Sequence, residues 1–174
     1  MSGVSLHANE TLESTLNTYG NTILRLAYSC LKNKDDAEEV LQDVMLKFFE
    51  KDPVFESEEH KKAWLIRVTI NYCRNRLRSP WRQHRSLDEA NSFGWSEEAV
   101  QNFSPPGEES EVLSAVLALP EKYREVIHMF YYEDYSTVQI ASILRKKEST
   151  VRSLLHRARE MLKDSLKEGW QIDE

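Results

Sequence analysis

The stretch YSTVQIASILRKKESTVRSLLHRAR, from Tyr135 to Arg159, decides how this chain is read. It reads as two helices joined by a tight turn. The first runs from Thr137 to Leu144, and Ser136 stands where a hydroxyl can accept from an orphan N–H of the first turn. The second starts near Ser149. Val151, Leu154, Leu155, Ala158 and Leu162 recur along it at helical spacing, which gathers them on one apolar face. Ser149, Arg152, Ser153 and His156 keep the same spacing on the opposite face. One side packs on a core, and the other offers donors to a polar groove. That is what a helix-turn-helix needs, with its second helix in the DNA major groove. An ordinary amphipathic helix with a solvated charged face has the same pattern, so this stretch alone does not choose between the two.

Upstream, Glu121 to Tyr131 reads as a helix with Pro120 at its first position and Val126, Ile127, Phe130 and Tyr131 as its core. Val112, Ala115, Val116 and Leu119 begin another. Before them, from Ser86 to Ser110, the periodicity fails. Gly94, Gly107 and the Pro105-Pro106 pair fall here, with scattered acids and neither Lys nor Arg. The stretch reads as an extended acidic linker. Phe93, Trp95 and Phe103 suggest a segment that docks, while a passive tether is the plainer alternative.

On the other side of the linker, a helix from about His60 to Arg78 carries Leu65, Val68 and Tyr72 on a broad apolar face. Trp64, Arg67, Asn71, Arg74 and Arg78 are spaced 3, 4, 3 and 4 and align as one polar stripe without an acid. Arginines can grip phosphates, Asn can read a base edge, and Trp can stack on an unpaired base. The competing reading is a basic surface helix whose Trp is tucked partly into the core. Pro53 to Glu59 is a polar loop. Asp36 to about Glu50 is a further helix, capped by Asp35 or Asp36, with Ala37, Val40, Leu41, Val44 and Phe48 as its buried stripe. Glu39, Gln42, Asp43 and Lys47 lie largely off that stripe, either as solvated surface or as an acidic face for a partner. Residues 10–31 read as the first helix, with Leu12, Leu16, Tyr19, Ile23, Ala27 and Cys30 on one side.

The net charge of −6 hides a block pattern. Residues 61–85 hold 8 basic and no acidic side chains, and residues 86–121 hold 8 acidic and no basic ones. Residues 1–60 carry net −7 and residues 122–167 net +4. Screening acts over about 8 Å at physiological salt, so the blocks set the local field more than the total does. Two positive blocks flanking a negative one point to two nucleic-acid contacts. Cys30 and Cys73 make no metal or disulfide framework and sit among apolar neighbours, as buried thiols do. Glu125-Val126-Ile127-His128 gives one Glu-x-x-His, but a di-iron bundle needs two with further carboxylates. No apolar run approaches the roughly 18–20 residues of a membrane span, and the first residues lack the order of a signal peptide. The expectation is a cytoplasmic protein with no cofactor, no metal, no catalytic residues and no direct membrane insertion.

Three motifs in this order resemble the extracytoplasmic-function group of sigma-70 sigma factors. DDAEEVLQDVMLKFF (Asp35 to Phe49) is similar to the family's polymerase-binding helix. KAWLIRVTINYCRNRLR (Lys62 to Arg78) is similar to the helix that reads and melts the minus-ten element. Ala118 to Arg159 resembles the domain that binds the minus-thirty-five element. The resemblance implies an all-α fold of two small helical domains, a sigma-2-like bundle over 1–85 and a sigma-4-like helix-turn-helix over 111–174, joined by the linker at 86–110. It implies that Asp36, Glu39, Gln42 and Asp43 face core RNA polymerase. It places Lys62, Trp64, Arg67, Asn71, Arg74 and Arg78 on minus-ten promoter DNA, with the Pro53 to Lys61 loop capturing a flipped base. It places Ser149, Thr150, Arg152, Ser153, His156, Arg157 and Arg159 on the minus-thirty-five element. It further implies an anti-sigma partner, commonly membrane-anchored, and a role in a stress or envelope response. One departure stands out. The family usually has Gly where Arg145 stands, an apolar residue at Lys146, and a small polar cap at Lys147. A different turn and a later start of the recognition helix are expected from that.

Overall fold

The computed structural model describes residues 2–78 and 108–169, and these form two compact units, one from each stretch. The expected linker at 86–110 lies outside the described residues except for its last three positions, which are already helical. Every element among the described residues is helical.

The first unit is built from α1 (Ser2–Leu31), α2 (Lys34–Lys51) and α3 (Glu58–Arg78), each packed on the other two. Ile23, Leu26 and Ala27 of α1, Val40, Val44 and Phe48 of α2, and Leu65, Ile66, Ile70 and Cys73 of α3 form its core, at 5% exposure or less. Each large aliphatic side chain so buried contributes about 1.5–3 kcal/mol. Both cysteines are buried free thiols. Leu16, expected on the buried side of α1, is 42% exposed, and Thr15 is buried in its place. The cap of α2 is also not where it was expected. Asn33, in an extended conformation, accepts from the Asp36 N–H at 2.9 Å. This frees the Asp36 carboxylate for another partner. The helix α3 starts two residues earlier than expected, because the Ser57 hydroxyl accepts from the His60 N–H.

The second unit comprises α4 (Glu108–Ala118), α5 (Glu121–Ile127) running into a π-helical turn (His128–Tyr132), α6 (Thr137–Leu144) and α7 (Glu148–Gly169). Helix α7 packs on α4, α5 and α6. Pro120 is the N-cap of α5, not its first helical residue. The buried Arg124 donates to the Leu117 carbonyl at 3.1 Å and ties α5 to the last turn of α4. The π turn was not foreseen, and it corrects the expected core. A π turn holds an extra residue and rotates the side chains beyond it. Met129 therefore points inward at 0% exposure, while Tyr131, expected inside, is 52% exposed.

The helix-turn-helix keeps its geometry despite the atypical residues. Ser136 and Gln139 form a reciprocal capping box at the start of α6. Arg145 takes the left-handed conformation (φ 55°, ψ 46°) that glycine would hold, and its N–H bonds back to α6. The strain on a side chain with a Cβ is about 1 kcal/mol. Helix α7 begins at Glu148, so the recognition helix is not delayed. The Thr137 hydroxyl donates to the Glu148 carboxylate at 3.0 Å and pins the two helix starts together.

Candidate nucleic-acid interface

The outward row of α7 is a direct product of its amphipathic pattern. Val151, Leu155 and Ala158 are at most 1% exposed and anchor the helix. Ser149, Thr150, Arg152, Ser153, His156, Arg157 and Arg159 are all exposed. Five of them, Ser149, Arg152, Ser153, His156 and Arg157, border one shallow patch of open surface along the helix. Arg152 lies 3.8 Å from Glu148, and His156 lies 3.2 Å from Glu160, each one turn away. Such exposed pairs are weak and yield readily to a phosphate or a base edge. Arg159 is held differently. Its Nε donates to the Tyr131 hydroxyl at 2.8 Å, and its guanidinium lies over the Phe130 and Tyr131 rings at 5.2 and 5.7 Å. The π turn that brings Tyr131 to the surface is what supplies this seat.

On α3 the polar stripe also faces outward, but more of it is covered. Asn71 and Arg78 are exposed, whereas Lys62, Trp64, Arg67 and Arg74 are half-buried. Trp64 packs edge-on against Phe48 and Phe55, with ring centroids at 6.3 and 5.7 Å. Phe55 also stacks on Phe48 and meets His60 edge-on at 5.4 Å. The loop before α3 therefore carries an aromatic cluster rather than a bare polar tip. The Glu56 N–H donates to His60 Nδ1 at 3.3 Å and fixes the loop's shape. Val54, beside it, is 92% exposed.

On α2, the exposed residues Asp35, Glu39, Gln42, Leu46 and Phe49 are spaced 4, 3, 4 and 3 and make one stripe. It is acidic at its start and apolar at its end, where Leu46 is 57% and Phe49 49% exposed. Asp36 stands apart from this surface, since its side chain is only 6% exposed and bonds to Arg76 at 3.1 Å. Arg76 also reaches Glu39 at 2.5 Å and lies 3.8 Å from Asp43. Of the four residues expected to face a partner, Glu39 and Gln42 are exposed, Asp43 is half-exposed and Asp36 is a buried anchor.

Comparisons with known proteins agree with one another. The family described as Sigma-70 region 2 matches residues 15–83, and the family described as Sigma-70, region 4 matches residues 109–162. The ECF RNA polymerase sigma factor SigW of Bacillus subtilis is 26% identical over 86% of this chain and 86% of its own length. The RNA polymerase sigma-E factor of Streptomyces coelicolor is 28% identical over 88% of this chain and 85% of its own. The chain belongs to the extracytoplasmic-function group of sigma-70 sigma factors. Sigma factors are transcription initiation factors and not enzymes. The fold agrees with a solved sigma factor, RpoE of Bartonella quintana in complex with the anti-sigma factor NepR. That match has a TM-score of 0.70 and 22% identity, and it covers 95% of this chain and 99% of that one. CnrH, solved with the cytosolic domain of CnrY, superposes with a TM-score of 0.63 at 20% identity over 91% of this chain and 89% of that one. Among the described residues of this sigma factor, no helix is long and apolar enough to cross a membrane.

Sequence reasoning passed over three kinds of residue in this sigma factor. Leu46 and Phe49 lie off the buried stripe of α2 by the same spacing that singled out Glu39, so that signal was present. Arg76 lies off the Trp64 to Arg78 stripe, which marks it as facing something else. Tyr131 carried no signal, because only the π turn turns it outward.

Proposed function

We propose that this sigma factor divides its work between its two units, with a sigma-2-like domain over 1–85, a linker over 86–110 and a sigma-4-like domain over 111–174. The stripe on α2 docks on core RNA polymerase through Glu39, Gln42 and Asp43, and Leu46 and Phe49 add an apolar end to the same face. The α3 stripe of Lys62, Trp64, Arg67, Asn71, Arg74 and Arg78 meets the minus-ten element, and the aromatic loop beside it offers stacking surface for a separated strand. Helix α7 enters the major groove at the minus-thirty-five element. Ser149, Arg152, Ser153 and His156 face the bases, while Thr150, Arg157 and Arg159 lie toward the backbone. The observation that carries this reading is the α7 row, exposed throughout, with Val151, Leu155 and Ala158 buried behind it.

The negative blocks weaken loose DNA binding until the polymerase covers them. A partner protein of the anti-sigma class fits the same surfaces, and RpoE of Bartonella quintana is itself solved in complex with the anti-sigma factor NepR. The cytoplasm, where polymerase and promoters meet, is the place of action, and control by a stress or envelope signal belongs to the same reading. The test is binding of the full chain to core polymerase. Asp43→Lys is expected to weaken it by about 1–3 kcal/mol, since it sets a like charge against a basic partner. Unchanged affinity in that variant would contradict the docking assignment.

A further inference from the structure

Helix α3 holds four arginines, Arg67, Arg74, Arg76 and Arg78. Three belong to the outward stripe. Arg76 does not, because at about 100° per residue it falls on the far side of the helix, toward the seam with α2. Three carboxylates of α2 meet it there, one turn apart in sequence. Asp36 is 3.1 Å from Nη1, and Glu39 and Asp43 are 2.5 and 3.8 Å from Nη2. Their exposures differ sharply. The Asp36 side chain is 6% exposed, against 48% for Glu39 and 40% for Asp43. One carboxylate is thus committed to the seam, and two remain open to a partner.

We propose that Arg76 is a positioning residue for polymerase docking. Asp36 anchors one arm of its guanidinium, and the other arm holds Glu39 and Asp43 in the orientation a basic group on the polymerase meets. The inference rests on the reading of α2 as the polymerase-facing helix. Without Arg76, three acids at helical spacing repel one another, and their side chains swing apart. The forked guanidinium is what allows one cation to serve partners on both arms, and a lysine ammonium on its flexible stem does not reproduce it.

Charge and positioning predict opposite signs here. Removing a cation makes the face more negative, which by charge alone tightens the binding of a basic partner. Loss of orientation weakens it. The experiment is affinity of the full chain for bacterial core RNA polymerase freed of sigma subunits. It compares wild type, Arg76→Gln, Arg76→Lys, Glu39→Gln and the Glu39→Gln/Arg76→Gln pair, at a temperature where circular dichroism shows each chain folded. Arg76→Gln is expected to weaken binding about tenfold, and the paired variant to lose clearly less than the product of the single losses. Arg76→Lys, which keeps the charge and stands in should the glutamine variant not fold, is expected to lose about threefold. Affinity at or above wild type in both Arg76 variants would overturn the proposal, as would strictly multiplicative losses. Failure of the wild-type chain to bind core polymerase at all would instead overturn the docking reading beneath it.

Discussion

The outward faces of α3 and α7 look alike in sequence, each a row of basic and amide or hydroxyl side chains at helical spacing, yet the structure sets them differently. On α7 the whole row is exposed, and the nearest counter-charges are single acids one turn away. It is a ridge that fits into a groove. On α3 the row is partly sunk, and its Trp64 is the edge of an aromatic cluster built with Phe48 and Phe55. It is a wall with a stacking surface beside it. A ridge suits a closed duplex, whereas a wall edged by half-buried aromatic rings suits a strand that has left its partner. Two similar stripes thus differ in the form of promoter DNA that we propose each meets.

The strongest way to break that contrast is on the ridge. Arg152→Ala combined with Arg157→Ala is expected to cost about 2–4 kcal/mol in affinity for a minus-thirty-five duplex and to flatten its salt dependence. Titration by fluorescence anisotropy at several salt concentrations measures both. The same pair should leave binding of a single-stranded minus-ten segment unchanged. On the wall, Trp64→Ala is expected to lower promoter opening by about tenfold while leaving duplex affinity near wild type. Opening is read by 2-aminopurine fluorescence in the holoenzyme. Trp64→Phe, which restores a ring, should recover most of it, whereas a purely structural role would show as a fall in melting temperature that both variants share.

Two smaller tests sharpen the contrast through stability. Burial, and then the Glu58 carboxylate that the Tyr19 hydroxyl meets at 2.6 Å, pushes the Tyr19 pKa up to about 12. The usual value is 10.0, so the folded unit favours the neutral phenol. That contribution is fully present below about pH 10 and is lost as pH rises toward 12. Denaturant unfolding of Tyr19→Phe should therefore show a flatter alkaline decline, and Tyr72, whose hydroxyl burial also pushes upward, adds to the decline in the same direction. In the second unit, Arg145→Gly relieves a left-handed residue and should stabilise the fold by about 1 kcal/mol. The same change removes a cation from the turn, so duplex affinity should fall while the melting temperature rises.

The sequence made the two helix faces legible because helical period is a local property. Ser136 as a cap, Val151 and Leu155 as core, and Arg152 and His156 as surface all follow from spacing alone. What it concealed came from tertiary choices. Asn33 outcompeted two aspartates for the cap of α2, because Asp36 had a better partner in Arg76, forty residues away. The π turn at His128 to Tyr132 broke the period that placed Tyr131 inside. Arg145 held a glycine's conformation because the helices on either side fix the turn between them.

The most direct test adds the full chain to core RNA polymerase lacking any sigma subunit, with fragmented bacterial genomic DNA as template, and maps the 5′ ends of the transcripts. Discrete start sites are predicted, each preceded by the same two short sequence elements at one fixed separation. A transcript pattern no different from that of core polymerase alone would contradict the account.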